Sequence, residues 1–174
     1  TEGDGVYYSP NGGLTWLSNT GGVGNNGAAR KILFNPDDPT KIYAGFLSLG
    51  VCMSDNSGND WMSSSVGIAS LSLNDIEIDP INPDIILASF EAENSGGCYK
   101  NIDGEWGLVT GLPGTRFSSV SIGIDGTMYA WSNGPSSIAP EGLYKSTDSG
   151  ESWENMGPDI GVNFETQIFS IDLS

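Results

Sequence analysis

The chain has 174 residues, of which 22 are acidic and 6 basic, so its formal net charge at neutral pH is −16. This charge excludes the classes of protein that bind nucleic-acid phosphates or anionic membrane surfaces. The sequence contains no histidine, which excludes Ser-His-Asp and Cys-His mechanisms and imidazole metal sites. No apolar run approaches the roughly 20 residues of a membrane-spanning helix, and 37% hydrophobic residues favour one folded domain without membrane insertion.

Four related segments, each ending in tryptophan, recur along the chain. They start near Val6, Val51, Cys98 and Leu143 and end at Trp16, Trp61, Trp106 and Trp153. The successive tryptophans are 45, 45 and 47 residues apart. A period of this length, with short apolar runs between turn residues, is typical of one four-stranded propeller blade per repeat.

The elements of each repeat follow in the same order. An alternating apolar run predicts a first strand at 31–34, 75–78, 119–122 and 167–171. A turn rich in Pro, Asp and Asn precedes a continuous apolar run at 42–44, 85–88 and 128–131, which predicts a second strand buried on both faces. We therefore predict an all-β fold, a β-propeller of four-stranded antiparallel blades with little helix. About four repeats are present, and they could form part of a larger propeller.

The domain organisation that follows is a single propeller domain or propeller segment over residues 1–174. In chain order it comprises a partial blade at 1–22, blades at 25–66, 67–112 and 115–158, and the first strand of a further or closing blade at 163–174. Joining the termini gives a Trp153-to-Trp16 step of 37 residues, which is too short for a full repeat. The counterpart of the second strand at 42–44 is missing. We expect a longer propeller, or completion by another subunit through strand addition and self-association at open blade edges.

The last repeat carries a recognisable motif, Ser-Thr-Asp-Ser-Gly-Glu-Ser-Trp at 146–153. It resembles the Asp-box, or BNR repeat, of sialidases, sortilin-type receptors and xyloglucan-degrading glycoside hydrolases. The first copy has Asn11 in place of Asp, and the second has Asn56 in place of Asp and Asp60 in place of Ser or Thr. The third is read as one residue shorter, with Lys100 in place of Ser.

The resemblance implies a folding element, the hairpin between the third and outermost strands of a blade, and not a catalytic site. The structural residues that it implies are Ser9, Asn11, Gly13, Trp16, Ser54, Asn56, Gly58, Trp61, Asp103, Gly104, Trp106, Ser146, Asp148, Gly150 and Trp153. Hairpins are expected at 6–17, 51–62, 98–107 and 143–154, with the four tryptophans at equivalent, partly covered places on the outer rim.

The two cysteines are expected to be unpaired. Counting back from the tryptophans places Cys52 and Cys98 at the third-strand position that Tyr7 and Tyr144 fill elsewhere. Equivalent positions on blades about 10 Å apart are too distant for a disulfide, so both should be buried thiols.

No cofactor is expected. The acidic turns are interpreted as solvated, and calcium binding is the alternative. One carboxylate per box is too few for a calcium ion, which takes six or more oxygen ligands. The weaker calcium candidates are the acidic turn residues Asp37, Asp38, Asp79 and Asp84.

The sequence assigns no catalytic residue. Two arginines cannot supply the three-arginine cluster of a sialidase. Glu91, Glu93 and Asp125 lie near strand ends, where a pair of carboxylates could serve a glycoside hydrolase, but solvated loop carboxylates are the more frequent case.

Connections of different length join the second and third strands at 47–50, 91–97 and 132–141. They should cluster on one face of the disc, as a recognition surface or through simple drift in tolerant loops. The favoured function is a non-catalytic propeller, extracellular or at the cell surface, that serves as a scaffold or binding module for a protein or glycan. The alternative is a fragment of a propeller-type glycoside hydrolase acting on polysaccharide, and a third hypothesis is an assembly factor of the photosystem-stability type.

Overall fold

The computed structural model describes residues 5–19, 21–22, 27–92, 95–133 and 142–157, which form strands and turns without helix. None of these residues belongs to a helix that could cross a membrane. The strands are β1 (Tyr7–Tyr8), β2 (Leu17–Ser18), β3 (Ala29–Phe34), β4 (Ile42–Phe46), β5 (Gly50–Ser54), β6 (Met62–Ser63), β7 (Leu73–Ile78), β8 (Ile85–Phe90), β9 (Gly97–Ile102), β10 (Glu105–Leu108), β11 (Phe117–Ile122), β12 (Met128–Ser132), β13 (Gly142–Ser146) and β14 (Glu154–Asn155).

Consecutive strands pair antiparallel and form separate sheets. Three sheets have four strands in simple chain order, β3 to β6, β7 to β10 and β11 to β14, and we call them blades 2, 3 and 4. The described part of blade 1 is the two-stranded hairpin β1–β2. Such meanders joined by short turns are the units of a β-propeller.

The first strands share one irregularity. Each first strand has a shift in its register with the second strand. The shift comes directly after the first residue, which is Ala29 in β3, Leu73 in β7 and Phe117 in β11. Because the shift falls at the same place, Lys31, Asp75 and Ser119 occupy equivalent positions. The second strands β4, β8 and β12 are almost entirely buried, as their continuous apolar sequences predict.

The core consists of three clusters, one between each pair of neighbouring blades. Phe46 and Trp61 lie in the cluster between blades 1 and 2. Phe90 and Tyr99 lie between blades 2 and 3, where their rings meet edge to face at 5.4 Å. Phe117 lies between blades 3 and 4. Face-to-face packing of successive sheets confirms the prediction of an all-β propeller with antiparallel blades.

The four expected hairpins are present, formed by β1–β2, β5–β6, β9–β10 and β13–β14. The strand predicted at 163–174 lies outside the described residues.

Candidate functional site

Three of the four hairpin turns contain the same hydrogen-bond network. In blade 4, the Ser146 hydroxyl donates to Asp148 Oδ1 at 2.7 Å and accepts the Gly150 N–H at 2.9 Å. Asp148 Oδ1 also accepts the Ser152 N–H at 2.9 Å. The turns at 9–15 and 54–60 repeat these three bonds with their own residues. Each network therefore satisfies backbone donors within one turn.

The substitutions in these turns are matched to each other. In blade 4, Ser152 Oγ donates to the carboxylate of Asp148 at 2.5 Å. In blade 2 the amide Nδ2 of Asn56 donates instead, to Asp60 Oδ2 at 3.0 Å. In blade 1 the Asn11 amide likewise donates to Thr15 Oγ1, at 2.9 Å. Asn56 and Asp60 both differ from the motif, but together they still place one hydrogen-bond donor opposite one acceptor in the turn.

The hairpin of blade 3 differs from its expected form. In blade 3, Asn101 lies opposite Trp106, with four residues, 102–105, between them. In blade 2, the equivalent Ser54 lies opposite Trp61, with six residues, 55–60, between them. The hairpin of blade 3 is therefore two residues shorter, whereas the sequence analysis expected one. Asp103 and Gly104 form a two-residue turn with φ of 54° and 92°. The acceptor of the turn is Asn101 Oδ1, which receives the Gly104 N–H at 3.0 Å.

This shorter turn also corrects the position of the cysteines. Cys52 pairs with Ala44, and the equivalent alanine of blade 3, Ala88, pairs with Tyr99 and not with Cys98. The prediction that the two cysteines share one position is therefore wrong by one residue. Because side chains alternate along a strand, the two thiols point to opposite faces of their blades. Both are buried and unpaired. Burial raises the pKa of Cys52 to about 11, and burial together with the charge of Asp75 raises that of Cys98 well above its usual range.

The tryptophans lie at the outer hairpins, but one differs in its surroundings. Trp61 and Trp106 are 4% and 6% exposed, and each packs against the blade before its own. Trp106 Nε1 donates to the Ser64 carbonyl at 2.7 Å, whereas Trp153 Nε1 donates to Gly150 of its own turn. Trp16 is 63% exposed, and the described residues show no blade packed against it as blade 1 packs against Trp61.

A glycine that the sequence analysis did not single out faces each following tryptophan. Gly22, Gly67 and Gly111 all have positive φ. A Cβ atom added to Gly22 would lie 2.1 Å from the Trp61 carbonyl oxygen, and one added to Gly67 would lie 2.3 Å from that of Trp106. The spacing of these glycines, about one repeat, is the feature of the sequence that could have identified them.

The calcium candidates lie in turns between first and second strands. Asp79 Oδ1 accepts the backbone N–H groups of Ile81 and Asn82. Asp38 accepts both the N–H and the hydroxyl of Thr40, and these hydrogen bonds hold the pKa of Asp38 below its usual range. Asp37 shares a turn with Asp38, and Asp84 shares one with Asp79. In the described part of the chain, no three carboxylate or cysteine side chains converge to hold a metal ion.

A row of polar contacts joins the first strands of blades 2, 3 and 4. Lys31 Nζ donates to Asp75 Oδ1 at 3.2 Å and to the carboxylate of Glu77. The other oxygen of Asp75 accepts the Ser119 hydroxyl at 2.9 Å and the Val120 N–H at 3.1 Å. Burial lowers the pKa of Lys31, but its hydrogen bond to Glu77 and the charges of both carboxylates outweigh this and raise it. Asp75 is thus buried, and both of its carboxylate oxygens accept hydrogen bonds.

A more exposed polar cluster lies at the face where the connections between second and third strands begin. The Glu91 carboxylate follows β8 and meets Arg116 Nε at 3.5 Å and Asn74 Nδ2 at 3.4 Å. Asn74 also donates to the Phe117 carbonyl at 2.9 Å, and the backbones of Glu91 and Arg116 form a β-bridge. We call Asn74, Glu91 and Arg116 the loop-face cluster, since it spans blades 3 and 4 on the face of the variable loops.

Of the three carboxylates considered for catalysis, Glu91 and Asp125 lie far apart, and Glu93 is outside the described residues. Arg116 precedes β11 and Asp125 follows it, so Glu91 and Asp125 are at opposite ends of a six-residue strand. Such a strand spans roughly 17–20 Å, well beyond the separation of paired glycosidase carboxylates. Glu93 and loop residues 134–141 lie outside the described residues.

A groove of about 640 Å³ lies at the other end of the described structure, between blade 1 and the first strand of blade 2. Tyr7 and Trp16 line one side, and Arg30 and Ile32 line the other. It therefore combines aromatic and apolar walls with one exposed guanidinium group.

Comparison with known proteins gives structural neighbours only. No protein-family model and no curated protein sequence matches the chain. Among solved structures, it is similar to an ancestral GH74 enzyme, with 25% identity and a TM-score of 0.71 over 93% of this chain and 22% of that one. It is also similar to the GH74 xyloglucanase of Xanthomonas campestris, with 20% identity and a TM-score of 0.58 over 77% of this chain and 23% of that one.

A third neighbour comes from a different class of protein. It is the extracellular domain of a protein described as a hybrid two-component system of B. thetaiotaomicron, with 16% identity and a TM-score of 0.64 over 88% of this chain and 20% of that one. The chain spans less than a quarter of the length of each of these three neighbours. Together with the sheets described above, these likenesses identify the fold as a β-propeller.

Proposed function

We propose that the chain is a non-catalytic binding segment of a secreted or cell-surface β-propeller, and that its ligand is a glycan held at the loop-face cluster. The observation that carries this proposal is the position of Glu91 and Arg116. Their side chains are 42% and 40% exposed, yet both are fixed by a backbone bridge between two blades.

The chemistry of the cluster suits sugar hydroxyl groups. A carboxylate accepts hydrogen bonds, a guanidinium group donates them, and the amide of Asn74 can do both. Because the Asn74 side chain is already held by the Phe117 carbonyl and the backbone of Arg116 by its bridge to Glu91, the cluster is partly ordered before a ligand binds. The connections between second and third strands differ in length along the sequence, which supplies a means of selecting the ligand.

The structural neighbours support the ligand class and the location. One is named a xyloglucanase, which favours a polysaccharide ligand. Another is an extracellular domain, which favours a location outside the cell. A protein ligand is the other outcome that the same surface allows.

The test is affinity electrophoresis in gels containing xyloglucan, other β-glucans or xylan. We expect one of these polysaccharides to retard the native chain, and E91Q and R116M to remove the retardation. D125N, at the opposite end of β11, is the matched control and should be retarded like the native chain. Equal retardation of E91Q and native protein, or no retardation by any polysaccharide, would contradict the proposal.

The second candidate is part of a glycoside hydrolase, and it is favoured by the 25% identity and TM-score of 0.71 with a GH74 enzyme. Release of reducing ends from xyloglucan by the purified chain would support it. Binding without release would support the non-catalytic module.

A further inference from the structure

One glycine in the described strands has no local reason to be a glycine. Gly107 lies inside β10, in an unbroken antiparallel register with β9. Its φ is not positive, and a Cβ atom added to it would meet no atom of a residue beyond its chain neighbours within 4 Å. A strand glycine without a bulge or a special backbone conformation is typical of a place that a ligand approaches closely.

The other glycines of the described strands are each explained by a contact or by their conformation. A Cβ atom added to Gly45 would lie 2.6 Å from Leu73 Cδ2 in the next blade. The glycines that begin the third strands of blades 2, 3 and 4 have φ values of 70°, 143° and 148°, which favour glycine. Gly107 therefore differs from all of them.

The equivalent position carries a long side chain in the blades on either side. Gly107 lies opposite Lys100 of β9. In blade 2 the corresponding residue is Met62, opposite Met53, and in blade 4 it is Glu154, opposite Lys145. Met62 and Glu154 are both exposed at their hairpins, so the fold accepts a long side chain here. In blade 3 the same space is left open.

A cavity of about 320 Å³ lies over this glycine. It is situated between the shortened β9–β10 hairpin of blade 3 and the turn of blade 4. Its walls come from residues between 100 and 110 and from residues 150 and 151, all of which belong to the described part of the chain. The volume is at the lower end of the range for small-molecule sites, so it suits a ligand of only a few heavy atoms.

The charges around the cavity do not balance. Lys100 Nζ donates to the Ser149 carbonyl at 2.8 Å and to the Glu151 carboxylate at 3.0 Å, and its side chain is only 13% exposed. Glu105 is exposed, and its carboxylate has no hydrogen bond or ion pair to a described residue. The cavity therefore has one carboxylate in excess, on a chain whose net charge of −16 attracts cations.

The surface beside this carboxylate is apolar. Ile102, which lies opposite Glu105, and Leu108 border the cavity and are 45% and 57% exposed. The methylene chain of Lys100 extends along the wall towards Gly150, where an added Cβ would lie 3.8 Å from Lys100 Cδ. Aliphatic walls next to one unpaired carboxylate match a ligand that has a short alkyl chain and a positive charge at its end.

We propose that this cavity binds a small organic cation, an alkylammonium ion whose aliphatic chain lies over Gly107 and whose charge pairs with Glu105. The glycine permits the close approach of the chain, and Ile102 and Leu108 cover it. Lys100 remains bound to Glu151 and closes the opposite side of the site.

The probe is n-butylammonium chloride, titrated into the isotope-labelled chain and followed by NMR spectroscopy. We expect saturable shifts of the Gly107 amide and Trp106 indole signals, because both residues border the cavity. Butan-1-ol has the same alkyl chain without the charge and should give no saturable shift. A capped lysine carries the same cation on a peptide backbone. Binding of n-butylammonium alone supports a free amine as the ligand, and binding of both supports a lysine side chain as well.

Two variants test the residues on which the proposal depends. G107M fills the cavity with the side chain that blade 2 has at the same position, and it should abolish binding. E105Q removes the unpaired charge and should weaken binding about fivefold, the size of an exposed ion pair. E154Q is the matched control, since Glu154 is also exposed but does not border the cavity, and it should bind like the native chain. Circular dichroism checks that each variant folds.

Several results would overturn the proposal: no saturable shift with n-butylammonium, an equal response to butan-1-ol, or native-like binding by E105Q or by folded G107M. Equal weakening by E105Q and E154Q would also overturn it, because general attraction of cations to an acidic chain would then account for the shifts. The comparison of these two glutamate variants keeps the test decisive if G107M does not fold. The glycan proposal concerns Glu91 and Arg116 and succeeds or fails independently.

Discussion

Asn56 donates through its amide to the Asp60 carboxylate, in the reverse direction to the bond that Ser152 donates to Asp148 two blades later. The two turns have the same shape and the same backbone hydrogen bonds. What each turn requires is a donor opposite an acceptor, and the sequence is free to exchange them.

This exchange makes N56D a destabilising change, although it moves the sequence closer to the family motif. Two carboxylates would face each other, and we expect the free energy of unfolding to fall by about 1 kcal/mol. The double variant N56D/D60S restores a donor and should recover most of the loss. Urea denaturation of the native chain, both single variants and the double variant measures this coupling. Additive effects would contradict it.

The turn of blade 4 should weaken in acid. Hydrogen bonds from Ser152, and then from Ser146, lower the pKa of Asp148 to about 2 from an ordinary value of 3.8. A lowered pKa in the folded state means that the stabilisation is complete above about pH 5 and is lost as the pH falls towards 2. The comparison is D148N, whose amide can donate to Ser152 as Asn11 does to Thr15. The difference in stability between the native chain and D148N should change over that interval and remain constant above pH 5.

Two glycines in turns, Gly67 and Gly104, and one in the strand β10, Gly107, separate steric from conformational effects. G67A should lower the free energy of unfolding by about 2–4 kcal/mol, because its Cβ would meet the Trp106 carbonyl at 2.3 Å and φ is 96°. G104A has open space but a φ of 92°, and about 1 kcal/mol is expected. G107A has open space and no positive φ, so its effect should lie within about 0.5 kcal/mol. Any other order of the three would contradict the packing described here.

Both thiols should resist alkylation in the native protein. Burial limits access to Cys52 and Cys98 and raises the pKa of each, so little thiolate is present near pH 8. Mass spectrometry after iodoacetamide treatment should show no addition before unfolding and two additions in denaturant. Fewer than two additions in denaturant would reveal a disulfide.

The repeat period carried most of the information about the fold. Tryptophans at a spacing of about 45 residues located the blades, and the continuous apolar runs located β4, β8 and β12. Local spacing failed in the third hairpin, because Asp103 and Gly104 can close a two-residue turn and remove one more residue than the count allowed. The same error displaced Cys98 by one position and so turned it to the wrong face of its blade.

The loop-face cluster could not be predicted for a different reason. Asn74 and Glu91 lie on neighbouring strands of blade 3, but Arg116 belongs to blade 4 and meets Glu91 through the contact of two sheets, which no local pattern records. Glu91 was noticed because it follows a strand, but nothing in the sequence paired it with an arginine. Contacts between blades depend on the angle and register of the sheets, and those emerge only in the folded chain.

The row formed by Lys31, Asp75 and Ser119 bears on how a chain of similar units folds in the correct order. Proteins built from repeats are prone to misassembly, in which one unit takes the place of its neighbour. Here the same structural position holds a cation, an anion and a hydroxyl in three successive blades. Lys31 of blade 2 binds Asp75 of blade 3, and Asp75 in turn accepts a hydrogen bond from Ser119 of blade 4. Exchanging blades 2 and 4 would preserve these pairs but reverse their direction, and exchanging blades 3 and 4 would leave the lysine facing a serine and separate it from its carboxylate. These three polar side chains, of which Asp75 and Ser119 are buried, thus give otherwise similar sheets distinct neighbours, and so distinguish the native arrangement from its permutations.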